Sequence, residues 1–232
     1  MNKKFVDEAL NRLETLHPKI IDLSLKRVQN LLINLNNPHL NIPPTIHIAG
    51  TNGKGSTLSF IKNCLENDNK LVHSYISPHL INFNERINLK GKPINDKLLI
   101  KYLIECEKQN KGKNITFFEI TTCIAFLAFN RHYADYLLLE VGLGGRLDAT
   151  NVIKKPKLSI ITPISLDHED FLGNTIEKIT NEKAGIIKSG VNTIIGKQKQ
   201  SVIKILKEVS KRKKSCLSIY GEDWFISKEK EK

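Results

Sequence analysis

The stretch that most narrows what this chain can become runs from Thr45 to Thr57, Thr-Ile-His-Ile-Ala-Gly-Thr-Asn-Gly-Lys-Gly-Ser-Thr. Its first half is short, apolar and β-branched, as a buried parallel strand requires. Its second half supplies glycines, a lysine and hydroxyls, and amphipathic helix spacing follows at Leu58, Phe60, Ile61, Cys64 and Leu65. A strand, a glycine-rich turn and a helix together wrap backbone N–H groups around phosphate. The helix N-terminus adds a partial positive charge and the lysine a full one. The generic pattern G-x-x-x-x-G-K-[ST] is only half met, because its first glycine falls at Ile48 and Gly55 replaces the hydroxyl after Lys54. A magnesium-facing hydroxyl must then come from Ser56 or Thr57. On this pattern alone the turn is either a phosphate cradle or an ordinary βα turn with a surface lysine.

A chain of 232 residues holds one sizeable α/β domain, or one domain and an appendage. No apolar run reaches membrane-spanning length, and Met1-Asn2-Lys3-Lys4 leads into a charged helix rather than a signal-peptide core. The expected location is therefore the cytoplasm, with no membrane partner. Cys64, Cys106, Cys123 and Cys216 are far apart without a C-x-x-C pair, and they read as small buried hydrophobes. The net charge of +12 invites a nucleic-acid reading. The excess, however, is scattered lysine, with six arginines among 36 basic residues, and aromatics at 6% are rarely interleaved with it. Compositional drift and attraction of anionic substrates are favoured over nucleic-acid binding. The basic run Lys207 to Lys214 reads as a solvated helix face.

Helical spacing covers residues 5 to 35, with a break at His17-Pro18 between two helices, and Asp22 reads as an acid in the first turn of the second. Strands are expected at Leu71–Ile76, Tyr133–Gly142, Leu158–Ile164, Val191–Gly196 and Cys216–Tyr220. Helices are expected at residues 94–109, Cys123–Phe129, Thr175–Ile187 and Ser201–Lys213. Ser77 ends one strand beside Pro78, which places its hydroxyl at the ligand edge of a parallel sheet or in a plain turn. Thr116 and Glu119 at the mouth of a helix read as caps. Glu140 closes an apolar strand, where an acid holds magnesium or simply ends the strand. His168 lies among Asp167, Glu169 and Asp170, which is either a metal constellation or a solvated acidic loop. Lys183 reads locally as a surface i,i+4 partner.

Several blocks along the chain change these alternatives. Gly50-Thr-Asn-Gly-Lys-Gly-Ser56 resembles the P-loop of folylpolyglutamate synthases and dihydrofolate synthases of the Mur-ligase superfamily. The segment Ile20–Val28, the Ser77-Pro-His-Leu80 loop with Glu85-Arg86-Ile87, and Phe118-Glu119 with its following threonines are similar to further elements of that family. Leu139-Glu-Val-Gly-Leu-Gly-Gly-Arg-Leu-Asp-Ala-Thr-Asn151, Asp167-His168 with Leu172-Gly173, and Glu182-Lys-Ala-Gly185 complete the match. The resemblance implies an α/β fold: a mostly parallel sheet flanked by helices, P-loop NTPase-like, as in the Mur ligase central domain.

It also implies roles. ATP is expected on Thr51, Asn52, Gly53, Lys54, Gly55, Ser56 and Thr57, with Lys54 at the β/γ-phosphates. Ser56 and Glu140 are expected near one magnesium, and Ser77, His168 and a carbamylated Lys183 near a second. Lys54, Glu140, His168 and Lys183 thereby form the expected catalytic set. A pterin is expected against Asp22, Phe118, Glu119, Leu147, Asp148 and Ala149, with the ring on Phe118 and its N–H groups on Glu119. Residues 1–40 would form a helical segment contributing to that pocket, and 41–232 the ATPase domain, incomplete at its end. The family's C-terminal domain would be absent, so the chain reads as truncated. The implied activity is ATP-dependent, ADP-forming addition of L-glutamate to dihydropteroate or to tetrahydrofolate (poly)glutamate through an acyl phosphate. ATP and Mg2+ are the implied cofactors and a monomer the expected state. A Mur-type ligase acting on a cell-wall precursor, or a nucleotide-binding module without ligase activity, are the alternatives.

Overall fold

The computed structural model describes residues 3–16 and 21–227. In chain order the elements are α1 (Lys3–Glu14), α2 (Lys26–Asn34), β1 (Thr45–Ala49), α3 (Lys54–Asn67), β2 (Val72–Tyr75), β3 (Ile87–Leu89), β4 (Lys92–Pro93) and α4 (Asp96–Asn110). There follow α5 (Phe117–Arg131), β5 (Tyr136–Glu140), β6 (Leu158–Ile161), α6 (Glu169–Leu172), α7 (Ile176–Lys183), β7 (Thr193–Ile195), α8 (Gln200–Lys213) and β8 (Leu217–Ile219). The described strands form one sheet in the order β4-β3-β2-β5-β1-β6-β7-β8. From β2 to β8 every pairing is parallel, while β3 runs antiparallel to β2 and β4 to β3. The expected mostly parallel α/β fold is what the chain forms, with a short antiparallel hairpin added at one edge.

The central strands are buried on both faces, and their side chains divide between two layers because successive residues point to opposite sides. Ile46, Ile48, Val72, Leu138 and Ile160 pack with Leu58 of α3 on one face. On the other, Leu137 and Leu139 join a core built from α1, α2, α4 and α5. Ala49, Ile161 and Ile195 join one built from α7 and α8. The β1 strand thus stands between two helical layers, and its C-terminal end opens onto the loops that carry the candidate site.

Several local expectations are corrected. The second N-terminal helix begins only at Lys26, so Asp22 lies in the irregular approach to it rather than in its first turn. The expected break at His17-Pro18 lies outside the described residues. Helix α5 starts at Phe117, six residues before the expected Cys123, because Thr116 and Glu119 form a reciprocal capping box. On α3, Leu58, Ile61 and Leu65 form the inner stripe, which leaves Phe60 73% exposed and Cys64 on the outer side. Cys106 and Cys123 are buried as expected, whereas Cys216 is exposed like Cys64. Lys183 is buried rather than a surface partner. Among the described residues no helix is long and apolar enough to cross a membrane.

Candidate active site

The turn after β1 is fastened to the segment that follows the neighbouring strand β6. Thr51 and Asn52 donate their N–H groups to the Pro163 carbonyl at 2.9 and 3.2 Å. The Thr51 hydroxyl donates to the Ser165 carbonyl at 3.1 Å and accepts the Ser165 N–H at 3.1 Å. Helix α3 starts directly at Lys54 with Gly53 as its cap, and no described side chain caps it. Its first-turn N–H groups, together with the Ser56 and Thr57 hydroxyls, therefore point where an anion is favoured. Lys54 bends back over the turn, its Nζ 3.2 Å from the Gly50 carbonyl and 3.3 Å from that of Thr51.

Adjacent to this turn, β5 ends in Glu140, which is paired in register with Ile48 of β1. The P-loop-like turn and the acid therefore leave the sheet side by side at the same edge, where parallel α/β sheets place their ligands. The Glu140 carboxylate accepts the Ser77 N–H at 3.2 Å. Burial raises its pKa, opposed by that N–H and by the Lys54 charge. From the far side comes Lys183 at the end of α7, 3% exposed, its Nζ donating to the Gly50 carbonyl at 2.9 Å. Burial first, and then the charge of Lys54, lower the Lys183 pKa to about 8, against the pull of Asp167 and Asp148. Two cationic side chains thus converge on one carbonyl of the turn.

Behind Ser77 opens a cavity of about 350 Å³. Asp22, Phe118, Glu119, Leu147, Asp148 and Ala149, dispersed in sequence, all line it, together with Ser77 and His168. His168 is half exposed, in a left-handed conformation at the start of α6, its Nε2 3.6 Å from Asp167. Among the described residues no three His, Cys, Asp or Glu side chains cluster tightly enough to hold a metal ion, so the acidic loop around His168 is not a cage by itself.

The walls of the cavity are specific. Phe118 lies flat against the backbone of Gly142, where an added Cβ would come within 2.4 Å of its Cζ. Asp148 is 2% exposed, accepting the Leu143 N–H on Oδ2 at 2.8 Å and the Thr150 N–H on Oδ1 at 2.9 Å. Burial raises its pKa, countered by these donors and the Thr150 hydroxyl. The Glu119 carboxylate, expected to accept substrate N–H groups, is engaged within the protein. It takes the Thr116 N–H at 2.8 Å and Arg27 Nε at 2.9 Å. The same guanidinium holds Asp22 Oδ2 at 2.9 Å. Arg27 was not among the expected site residues; it ties the 21–25 approach to α5 and so fixes one side of the cavity. Arg86 is an unanticipated lining residue, packed over the rings of Phe83 and Phe117 at 5.5 and 5.8 Å.

Two of the sequence blocks interlock beside this cavity. A Cβ on Gly185 would sit 2.3 Å from Arg146 Cα, and one on Gly145 would sit 2.8 Å from the Glu182 carbonyl oxygen. The Arg146 N–H donates to that carbonyl at 2.7 Å, and Asn151 Nδ2 reaches the carbonyls of Arg146 and Gly185. Backbone lies on backbone where the Gly142–Asn151 loop meets the end of α7, directly beneath Lys183.

The sequence matches the Mur ligase middle domain over residues 48–230. It is 42% identical over 205 residues to dihydrofolate synthetase of Saccharomyces cerevisiae, covering 86% of this chain and 48% of that one. It is 40% identical over 195 residues to dihydrofolate synthase/folylpolyglutamate synthase of Bacillus subtilis, covering 81% and 45%. Among solved structures, Escherichia coli FolC in complex with DHPP and ADP superposes with a TM-score of 0.89 at 34% identity, over 97% of this chain and 53% of that one. The apo form of L. casei FPGS superposes with a TM-score of 0.90 at 31% identity, over 100% and 57%. The chain spans about half the length of these relatives. The match over residues 48–230, on a parallel sheet that superposes on these proteins, places the chain in the Mur ligase middle-domain family, among relatives named dihydrofolate synthase and folylpolyglutamate synthase.

Proposed function

We propose that this chain carries the nucleotide and pterin sites of an ATP-dependent, ADP-forming carboxylate–amine ligase that adds L-glutamate to dihydropteroate or to tetrahydrofolate (poly)glutamate. The observation that supports it best is the position of Ser77. Its N–H is bonded to Glu140 beside the phosphate-cradling turn, and the same residue lines the cavity that collects the six residues expected around a pterin. A carboxylate extending from a pterin in that cavity would emerge toward the nucleotide.

In this reading residues 41–232 are the ATPase domain, and the segment up to residue 40 supplies one wall of the pterin pocket. Lys54 and the amides of Thr51 to Thr57 hold the β- and γ-phosphates. Glu140 with Ser56 would hold one magnesium, and Ser77, His168 and a carbamylated Lys183 would stand at a second. The Glu140 carboxylate and the Ser56 and Ser77 hydroxyls suit magnesium, which keeps waters and phosphate oxygens rather than filling an all-protein cage, whereas Lys183 would suit it only as the carbamate oxygen donor. Bound magnesium neutralises the phosphate charge and aligns the terminal phosphoryl group. The γ-phosphoryl passes to the substrate carboxylate, ADP leaves, and the glutamate amine displaces phosphate from the acyl phosphate to form the amide. The residues of this chain contribute positioning and charge compensation. The lowered Lys183 pKa, about 8, leaves a share of neutral amine, the form that carbamylation by CO2 requires. Asp148, Phe118, Leu147 and Ala149 bound the pterin, while Asp22 and Glu119 act through Arg27 as its frame. Monomeric action in the cytoplasm, without nucleic acid, fits the dispersed lysines.

Calorimetric titration of this chain with ATP and magnesium, and separately with dihydropteroate, tests the reading. Both ligands are expected to bind, with Lys54→Ala removing ATP binding and Asp148→Ala removing dihydropteroate binding while each variant keeps the wild-type circular dichroism. Wild-type ATP affinity in Lys54→Ala, or no pterin binding by the wild-type chain, overturns it.

A further inference from the structure

His47 has no part in the site as described, yet it is fully buried in the middle of β1, flanked in register by Leu139 and Ser159. Its Nε2 lies 2.9 Å from the Thr150 hydroxyl oxygen, and that hydroxyl is in turn bonded to Asp148 Oδ1. No described atom partners its other ring nitrogen, Nδ1. We infer that His47 is a positioning residue, which fixes the Asp148 carboxylate in the cavity through the Thr150 hydroxyl.

The proton count sets the direction of this chain. Burial lowers the His47 pKa to about 3, so the ring is neutral and carries a single N–H. Asp148 already receives backbone N–H groups on both oxygens, which makes it an acceptor. The one Thr150 hydroxyl proton therefore goes to Asp148, and the Thr150 oxygen accepts from His47 Nε2–H. His47 is thereby held as the Nε2–H tautomer. Each bond polarises the next, and the hydroxyl loses the freedom to rotate away from the carboxylate. Without the imidazole donor, the Thr150 oxygen would keep an unsatisfied acceptor in a dry interior, and the hydroxyl bonded to Asp148 Oδ1 would lose the contact that orients it, leaving the carboxylate to its backbone N–H donors.

This inference rests on Asp148 contacting the pterin, and the test separates the two claims. Ring-nitrogen NMR shifts of His47, measured on the chain without ligand, are expected to report the Nε2–H tautomer unchanged from about pH 5.5 to 8. An Nδ1–H tautomer or an imidazolium in that range overturns the relay. In dihydropteroate titrations, His47→Phe and Thr150→Val are each expected to weaken binding about tenfold, with the double variant no weaker than either. His47→Gln, which keeps an N–H donor at the same reach, is expected to stay within about twofold of wild type. ATP affinity is expected to be unchanged in all four. Wild-type pterin affinity in His47→Phe, or equal losses in the Phe and Gln variants, overturns the positioning role. A wild-type chain that binds no pterin counts against the ligase reading, and the nitrogen shifts then decide the relay alone.

Discussion

Gly142 is the position where one added methyl group would test the cavity most directly. Its Cβ would stand 2.4 Å from Phe118 Cζ, 2.8 Å from Cε1 and 2.9 Å from Cε2. Carbon atoms rest about 3.5–4.0 Å apart, so the ring must withdraw by about 1 Å or the Gly142 loop must lift. Overpacking of this kind costs about 1–3 kcal/mol. For a domain of this size that lowers the melting temperature by about 2–4 °C per kcal/mol, so Gly142→Ala should melt roughly 2–12 °C below wild type. The Phe118 ring lines the cavity proposed for the pterin. Dihydropteroate affinity should therefore fall, while ATP, whose proposed place is the Gly50–Thr57 turn, should bind as before. Adding Phe118→Leu supplies the missing room. The double variant should recover stability relative to Gly142→Ala alone, a coupling opposite in sign to the single effects, without recovering pterin affinity. Thermal melts followed by circular dichroism, paired with calorimetry for both ligands, give the readout. A Gly142→Ala protein with wild-type melting temperature and pterin affinity would refute the steric reasoning, as would a double variant less stable than the sum of its parts.

Replacing Arg27 by Met strands Glu119, whose side chain is 5% exposed, without its cation. With Arg27 itself 21% exposed, the loss should be about 2–3 kcal/mol in urea denaturation, and less for Arg27→Lys. His47, neutral when folded at a pKa of about 3 and ordinarily near 6.5 when unfolded, binds its proton only in the unfolded chain across that window. Its contribution is intact above the unfolded pKa and lost as pH falls, by about 2 kcal/mol between pH 7 and 5. Urea midpoints of His47→Gln across that range should show a correspondingly shallower acid slope. Phe60→Lys, on the exposed side of α3, should change stability by no more than about 0.5 kcal/mol in the same assay.

The sheet was legible because its central strands are apolar on both faces and each is followed by turn residues that stop it abruptly. The candidate site was legible where chemistry comes in compact blocks: the Gly50–Ser56 turn, Glu140 at a strand end, Asp148 within a glycine-rich loop. What escaped has no local signature. Arg27 meets Glu119 across 92 positions and His47 meets Thr150 across 103, so only the folded topology creates those pairs. The β3–β4 hairpin is three residues paired with two, too short for an alternating pattern to register. Phe60 satisfied a loose helical spacing but not the narrower stripe that a helix lying on one sheet face presents. Glu119 was read as a substrate contact, where the capping reading of the same residue describes the contacts it makes.

Where Gly185 rests on the main chain at Arg146, two polypeptide segments are keyed together with no side chain between them to act as a cushion. Drift in sequence around the site can be absorbed by side-chain repacking almost anywhere else, but at this crossing even a methyl group must shift the peptide planes themselves. Since Lys183 springs from one segment and Asp148 from the other, such a shift would reach the amine and the carboxylate together. The Lys183 amine and the Asp148 carboxylate thus share a single mechanical reference point.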